Sequence, residues 1–195
     1  RMSYSKTLAR PSFKEASIAQ IYDPLSQLTF IGNIDLEQTQ INNFDVRWEL
    51  FRPGGQMFAV SGFYKSFNNP IEIVSFSQSA PDNFQPRNVG DANVVGVEFE
   101  LRKDLSFIAE ELRQFNFGAN ITIVKSEVTM DKSENGEFES RVMNARDGEQ
   151  IADMRQMQGQ APYIINSYLS YRSLEGKFEA NMSYNVQGES LAVVG

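Results

Sequence analysis

Residues 94–102 read "VVGVEFELR", and the surroundings of this stretch decide the fold. Side chains alternate along an extended chain, so Val95, Val97, Phe99 and Leu101 share one face, and Gly96, Glu98, Glu100 and Arg102 the other. The apolar face needs a cover. In a water-soluble domain that is a second sheet or a helix; in a membrane-spanning barrel it is lipid.

The same alternation recurs along the chain. "FDVRWEL" sets Phe44, Val46, Trp48 and Leu50 against Asp45, Arg47 and Glu49. "FNFGANITI" sets Phe115, Phe117, Ala119, Ile121 and Ile123 against Asn116, Gly118, Asn120 and Thr122. "YIINSYLSY" sets Tyr163, Ile165, Ser167, Leu169 and Tyr171 against Ile164, Asn166, Tyr168 and Ser170. "FEANMSYNV" sets Phe178, Ala180, Met182, Tyr184 and Val186 against Glu179, Asn181, Ser183 and Asn185. No residue of the apolar sets is charged, whereas charges are frequent among the opposing ones, so one face is dry. "QMFAVSGFYKSF" (56–67) and "RMSYSKTL" (1–8) read as further strands of the same kind.

Strands of about ten residues have the length needed to cross a bilayer's hydrocarbon at a tilt, and exceed the usual five or six. Their connections fall into two kinds. "RPGG" (52–55) and "SLEG" (173–176) are tight turns, and "KDLSFIAEELRQ" (103–114) holds one or two helical turns with Leu105, Ile108 and Leu112 near one face. Residues 10–42, 68–92 and 128–160 read as long polar loops, all at the opposite end of the sheet.

Bulk composition narrows the function. A formal charge of -7 opposes binding to nucleic acid. Cysteine and histidine are absent, which removes thiolate metal sites, disulfides and the usual base of a Ser or Cys triad, so Ser61 and Ser167 have nothing to activate them. No apolar run is long enough for a membrane helix, but a barrel keeps mean hydropathy low.

Two folds fit the alternation. One is a soluble extracellular β-sandwich that binds glycan or protein through its long loops. The other is a barrel, favoured by strand length, by loops segregated by end, and by aromatics (Phe44, Phe115, Tyr163, Tyr171, Phe178, Tyr184) near the ends of the dry faces.

"YSKTLARPSFKE", "GNIDL", "NNFDVRWELFRPGG", "VSGFYKSFNNPIE", "NVVGVEFELRKDL", "QGQAPYIINSYLSY" and "YNVQGE" resemble, in order, the barrel of TonB-dependent outer-membrane receptors, in the branch often carrying a carboxypeptidase-regulatory-like N-terminal domain. The resemblance implies an all-β, antiparallel up-and-down meander of about seven long strands, part of a 22-stranded transmembrane β-barrel around a plug. It implies location in the cell outer membrane and import of a siderophore, cobalamin-like, glycan or peptide ligand. The partners implied are outer-membrane lipid, the protein's own plug and remaining barrel strands, the TonB complex through a preceding N-terminal part, and a surface lipoprotein. The expectation is that residues 1–195 are a partial barrel, without plug, TonB-contacting segment or closing strands.

On this reading Val46, Trp48, Val95, Val97, Phe99, Phe117, Ile121, Ile165, Leu169, Ala180 and Met182 face lipid. Asp45, Arg47, Glu49, Glu98, Glu100, Arg102, Asn116, Asn120, Asn166, Glu179, Asn181 and Asn185 face the lumen, and ligand-contacting residues lie in loops 10–42, 68–92 and 128–160. Glu98 and Glu100 are spaced as a glycosidase pair could be, but read as solvated lumen charges. "DKSENGEFESRV" (131–142) partly fits a calcium loop through Asp131, Ser133, Asn135 and Gly136, yet ends on Val142 in place of a bidentate Glu, and reads as a solvated loop. No catalytic residue, metal ligand or cofactor is assigned.

Overall fold

A computed structural model describes residues 1–25, 27–77, 80–132 and 137–194. In chain order the elements are β1 (Met2–Ala9), β2 (Gln20–Asp23), β3 (Leu28–Ile31), β4 (Thr39–Arg52), β5 (Gln56–Asn68), β6 (Ile71–Ser77), β7 (Ala80–Asn88), β8 (Ala92–Asp104), β9 (Phe115–Thr129), α1 (Glu137–Met143), β10 (Met154–Arg155), β11 (Tyr163–Arg172) and β12 (Glu179–Gln187).

The long strands form one antiparallel meander in the order β1-β4-β5-β8-β9-β11-β12, with β10 paired to the end of β9. The sheet is open, with β1 and β12 at its edges. Tight turns join strands at one end. The β4–β5 connection is a short 3-10 turn, Pro53–Gly55, in which Gly54 and Gly55 have φ of 82° and 76°, a region where a Cβ is strained and glycine is favoured. The β8–β9 connection holds two short 3-10 turns, Leu105–Phe107 and Glu110–Gln114, as its spacing of apolar residues leads one to expect.

Register carries the alternation across the sheet. Trp48, Val60, Phe99, Ile121, Ile165 and Val186 pair strand by strand in one row. Among the described residues nothing packs on that face: Val46, Trp48, Val95, Val97 and Phe99 are 49%, 56%, 50%, 40% and 40% exposed. A sandwich would bury these side chains under a second sheet, so the soluble β-sandwich does not describe this fold.

The three long connections lie together at the other end, but they are not the irregular polar loops that their composition suggests. Strands β2, β3, β7 and β6 form a second sheet in which β3 and β7 run parallel, pairing Thr29 with Asn83 and Phe30 with Phe84. The chain near its end returns to this sheet, where Ser75 N donates to Val194 O (2.7 Å) and Val194 N to Ile73 O (3.1 Å). Of the buried apolar residues, Ala92, Val94, Val124, Val128, Met130, Ala161 and Val194 sit mainly at this end, whereas Ala59 lies between Glu49 and Glu100 on the polar face of the long sheet. The calcium-like motif is not a continuous loop either. Residues 133–136, with Ser133, Asn135 and Gly136, lie outside the described residues, and 137–142 belong to α1.

Candidate functional site

The dry face has chemically distinct ends. Asn42, Ser66, Asn93 and Glu127 form one register row at the loop end, joined by Lys6 on β1. Just inside it Tyr4, Phe44 and Tyr64 are neighbours, with ring centroids 4.7 and 6.3 Å apart. Their hydroxyls turn toward the polar row, Tyr4 Oη donating to Asn42 Oδ1 (3.0 Å) and Tyr64 Oη to Asn93 Oδ1 (2.6 Å). At the turn end Phe115, Tyr171 and Phe178 form a second group, 4.8 and 6.1 Å apart, and Trp48 meets Phe58 edge-on at 6.0 Å. From Asn93 to Lys103, the polar residues bounding this face of β8, the strand rises about 33 Å at roughly 3.3 Å per residue. At the tilt of about 40° typical of barrels this spans about 25 Å of height, the thickness of an outer-membrane apolar band. Of the remaining dry-face residues, Ile121 and Met182 are 37% and 68% exposed and Ala180 is exposed, while Phe117, Ile165 and Leu169 are half-buried by their neighbours.

The opposite face is built from polar contacts between strands. Arg47 on β4 reaches Glu49 (2.7 Å), Ser61 Oγ on β5 (2.9 Å) and Glu100 on β8 (2.8 Å), and Arg102 takes the other Glu100 oxygen (2.8 Å). Asn120 on β9 donates to Glu98, and Asn185 on β12 to Asn166 on β11. Asp45 is on the same face, and Glu179 pairs with Arg172 at 2.6 Å near the last turn. Glu98 and Glu100 are therefore members of a charge ladder, Glu98 accepting from Asn120 on the adjacent β9 and Glu100 from Arg47 two strands away and from Arg102 on its own strand. Glu100, with its side chain 18% exposed, is more enclosed than Val97 on the dry face. That inverts the order expected for a sheet with its core on the apolar side.

This face also holds glycine–aromatic pairs. A Cβ at Gly118 would collide with the ring of Tyr168, its cross-strand partner, and a Cβ at Gly96 with the ring of Phe63, its partner on β5. Each ring lies across the gap left by the missing side chain.

Beyond the loop end of the long sheet, a buried ion cluster ties the loops together. The Arg155 guanidinium, with its side chain 5% exposed, contacts Glu72 of β6 at 2.6 Å and Glu137 of α1 at 2.5 Å, and Arg141 approaches Glu137 at 3.3 Å. Gln158 bridges further segments. Its N donates to Glu72 (2.8 Å), its Oε1 accepts from Ile73 N (2.7 Å), and its Nε2 donates to Ala192 O (2.5 Å). Sequence patterning misses Glu72, Arg155 and Gln158 because no local spacing marks partners more than eighty residues apart.

The TonB dependent receptor-like, beta-barrel family model matches residues 1–193. Among solved structures the chain is similar to the siderophore receptor PirA from Pseudomonas aeruginosa, at 15% identity and a TM-score of 0.58. That match covers 96% of this chain and 30% of the receptor. It is also similar to the Serratia marcescens hemophore receptor HasR, solved as a double mutant with its hemophore HasA and heme, at 14% identity and a TM-score of 0.58, over 96% of this chain and 29% of that one. A comparison with curated proteins gives no match. The chain thus spans about 30% of the length of the receptors it resembles. An open meander with one bare apolar face and one laddered polar face, matched by the family model over nearly its whole length, places the chain in the TonB-dependent receptor-like β-barrel family.

Proposed function

We propose that the protein acts in an energised importer of the outer membrane, to which these residues contribute wall strands and external loops. The single observation that carries this reading is the in-register apolar face, six strands wide and left uncovered by the described residues, backed by a hydrogen-bonded polar face. Lipid covers Val46, Trp48, Val95, Val97, Phe99, Phe117, Ile121, Ile165, Leu169, Ala180 and Met182, and the charged and amide side chains opposite line the lumen. Every strand amide inside the bilayer then finds a partner only when further strands continue the sheet from its open edges at β1 and β12. Those strands, a plug that blocks free diffusion and a TonB-contacting segment belong to the rest of the complete protein. Energy from the TonB complex displaces the plug, and the external loops, with or without a surface lipoprotein, select the ligand. Siderophore, cobalamin-like, glycan and peptide ligands are all compatible with such a wall.

Labelling of the complete protein in intact cells tests the arrangement. Leu25 in the loop region and Leu174 in the last tight turn are 95% and 86% exposed, so both react in water when they are accessible. A membrane-impermeant maleimide labels Leu25→Cys in intact cells and Leu174→Cys only after the outer membrane is permeabilised. Equal labelling of both in intact cells, as an extracellular soluble domain gives, refutes the reading.

A further inference from the structure

The dry face carries an apolar groove of about 520 Å³ at its loop end, across β1, β4 and β5. We propose that this groove holds a single anionic lipid, with one acyl chain lying in it and a phosphate headgroup on the polar row above. The inference rests on the reading that this face meets the bilayer, and it adds a headgroup-selective site to a surface otherwise covered by bulk lipid.

The groove follows from one residue. Gly62 is the single glycine among the described dry-face residues of the long strands, and a Cβ built on it meets nothing within 4 Å. Its register row, Met2–Val46–Gly62–Val97, therefore has a vacancy where its neighbours have side chains. Tyr4, Phe44 and Tyr64, one row nearer the loops, wall the groove on that side, and Met2 and Val46 complete its apolar lining. A glycine within a strand is a place where another molecule can approach the backbone closely. From the Asn93 row to the Val97 row the strand rises about 13 Å, or about 10 Å of height at a barrel's tilt. The groove thus occupies the half of the apolar band nearer the loops, the depth reached by the chains of one leaflet.

The row above it selects the headgroup. Lys6, Asn42, Ser66 and Asn93 stand side by side on β1, β4, β5 and β8. The phenols of Tyr4 and Tyr64 donate to the Oδ1 atoms of Asn42 and Asn93 (3.0 and 2.6 Å), so both amides have engaged their acceptors and keep their N–H donors. Among the described residues those amide nitrogens, the Ser66 hydroxyl and the Lys6 ammonium have no hydrogen-bond or ion-pair partner. A row rich in donors matches a group made of acceptors, and the Lys6 charge favours an anionic one. The carboxylate of the row, Glu127, lies three strand spacings, about 14 Å, from Asn42. It pairs with Lys125 at 2.6 Å, so the charge of Lys6 is left uncancelled. A phosphate diester or monoester meets this row with acceptors alone, whereas a zwitterionic head brings a like charge beside Lys6.

The test uses the complete receptor, purified in neutral detergent, stripped of lipid and offered diphosphorylated lipid A, phosphatidylglycerol or phosphatidylcholine, with bound lipid counted by native mass spectrometry. At least one of the two anionic lipids is retained over phosphatidylcholine by roughly tenfold or more, as a charge-assisted contact gives. Lys6→Gln removes that preference and Lys6→Arg keeps it, whereas Lys65→Gln, near the same height on the opposite face, leaves it unchanged. Gly62→Leu, which has room for its side chain, fills the groove and lowers retention of the anionic lipid to a similar extent. Four results overturn the proposal: neither anionic lipid is preferred; Lys6→Gln or Gly62→Leu binds as the parent does; Lys65→Gln removes the preference; or an equal concentration of inorganic phosphate displaces the lipid, which marks a site for free anions. Gly62→Cys in intact outer membranes separates this proposal from the wall assignment. Reaction with a lipid-dissolved maleimide keeps the wall assignment even when no lipid is preferred, whereas reaction only with an aqueous maleimide overturns both.

Discussion

Replacing Val97 by arginine tests the lipid assignment where it is most sensitive. Val97 lies one residue from the midpoint between Asn93 and Lys103, so its side chain is within about 4 Å of the centre of the apolar band. It is 40% exposed and pairs with Gly62 and Ile123 on either side, leaving a guanidinium no acceptor to turn to within its row. An arginine at that depth costs roughly 2–4 kcal/mol, a shift of about 30- to 900-fold in the folding equilibrium. The same change at Asn93, at the polar row, costs about 0–1 kcal/mol, because the side chain reaches water. Glu98→Ala, one residue away but on the opposite face, loses one half-wetted contact with Asn120 and costs under about 1 kcal/mol. The assay is equilibrium urea unfolding of the complete receptor in thin-acyl vesicles, followed by intrinsic fluorescence. Equal destabilisation by the arginines at positions 93 and 97, or by Val97→Arg and Glu98→Ala, would refute the face assignment, since only lipid distinguishes them.

Three other outcomes follow from the geometry. Trp48, 56% exposed on the dry face, loses emission to brominated acyl chains, measured as the difference between the parent and Trp48→Phe; an undiminished signal places it outside the bilayer. Arg155→Met leaves Glu72, whose side chain is 2% exposed, without its counter-charge at a cost of about 3–5 kcal/mol. Hydrogen exchange shows this as lost protection at Ile73 and Gln158 with β8 and β9 unaffected, and the double change with Glu72→Met recovers part of it. Gly118→Ala pushes a methyl into the Tyr168 ring and destabilises by about 1–3 kcal/mol, and most of that loss disappears in a Tyr168→Ala background, read from a double-mutant cycle.

The wall was legible because a period of two is local. Each residue of "VVGVEFELR" declares its face relative to its neighbours, and charge exclusion from one set marks the dry side. The loop end was not legible, for two physical reasons. Strand β7 contains Pro86, which weakens any strand reading, and its parallel partner β3 lies more than fifty residues earlier. Glu72 and Arg155 look like ordinary solvated charges until folding encloses both side chains. On the polar face the residue types were visible but their partners were not, since Arg47 reaches Glu100 only through the pairing of three strands.

The two glycine–aromatic pairs bear on how such a sheet assembles. Strands whose apolar faces all look alike have little to distinguish a correct alignment from one displaced by two residues, because a displacement of that size keeps every side chain on its proper face. Tyr168 moved by two would meet Asn116 or Asn120 in place of the vacancy at Gly118, and Phe63 would meet Val94 or Glu98 in place of Gly96. In the displaced alignment each ring loses the vacancy it lies across and meets a side chain instead, so the two pairs favour the register seen here. A shift between β5 and β8 or between β9 and β11 is thus opposed locally, by a pair that needs no other part of the sheet to be in place.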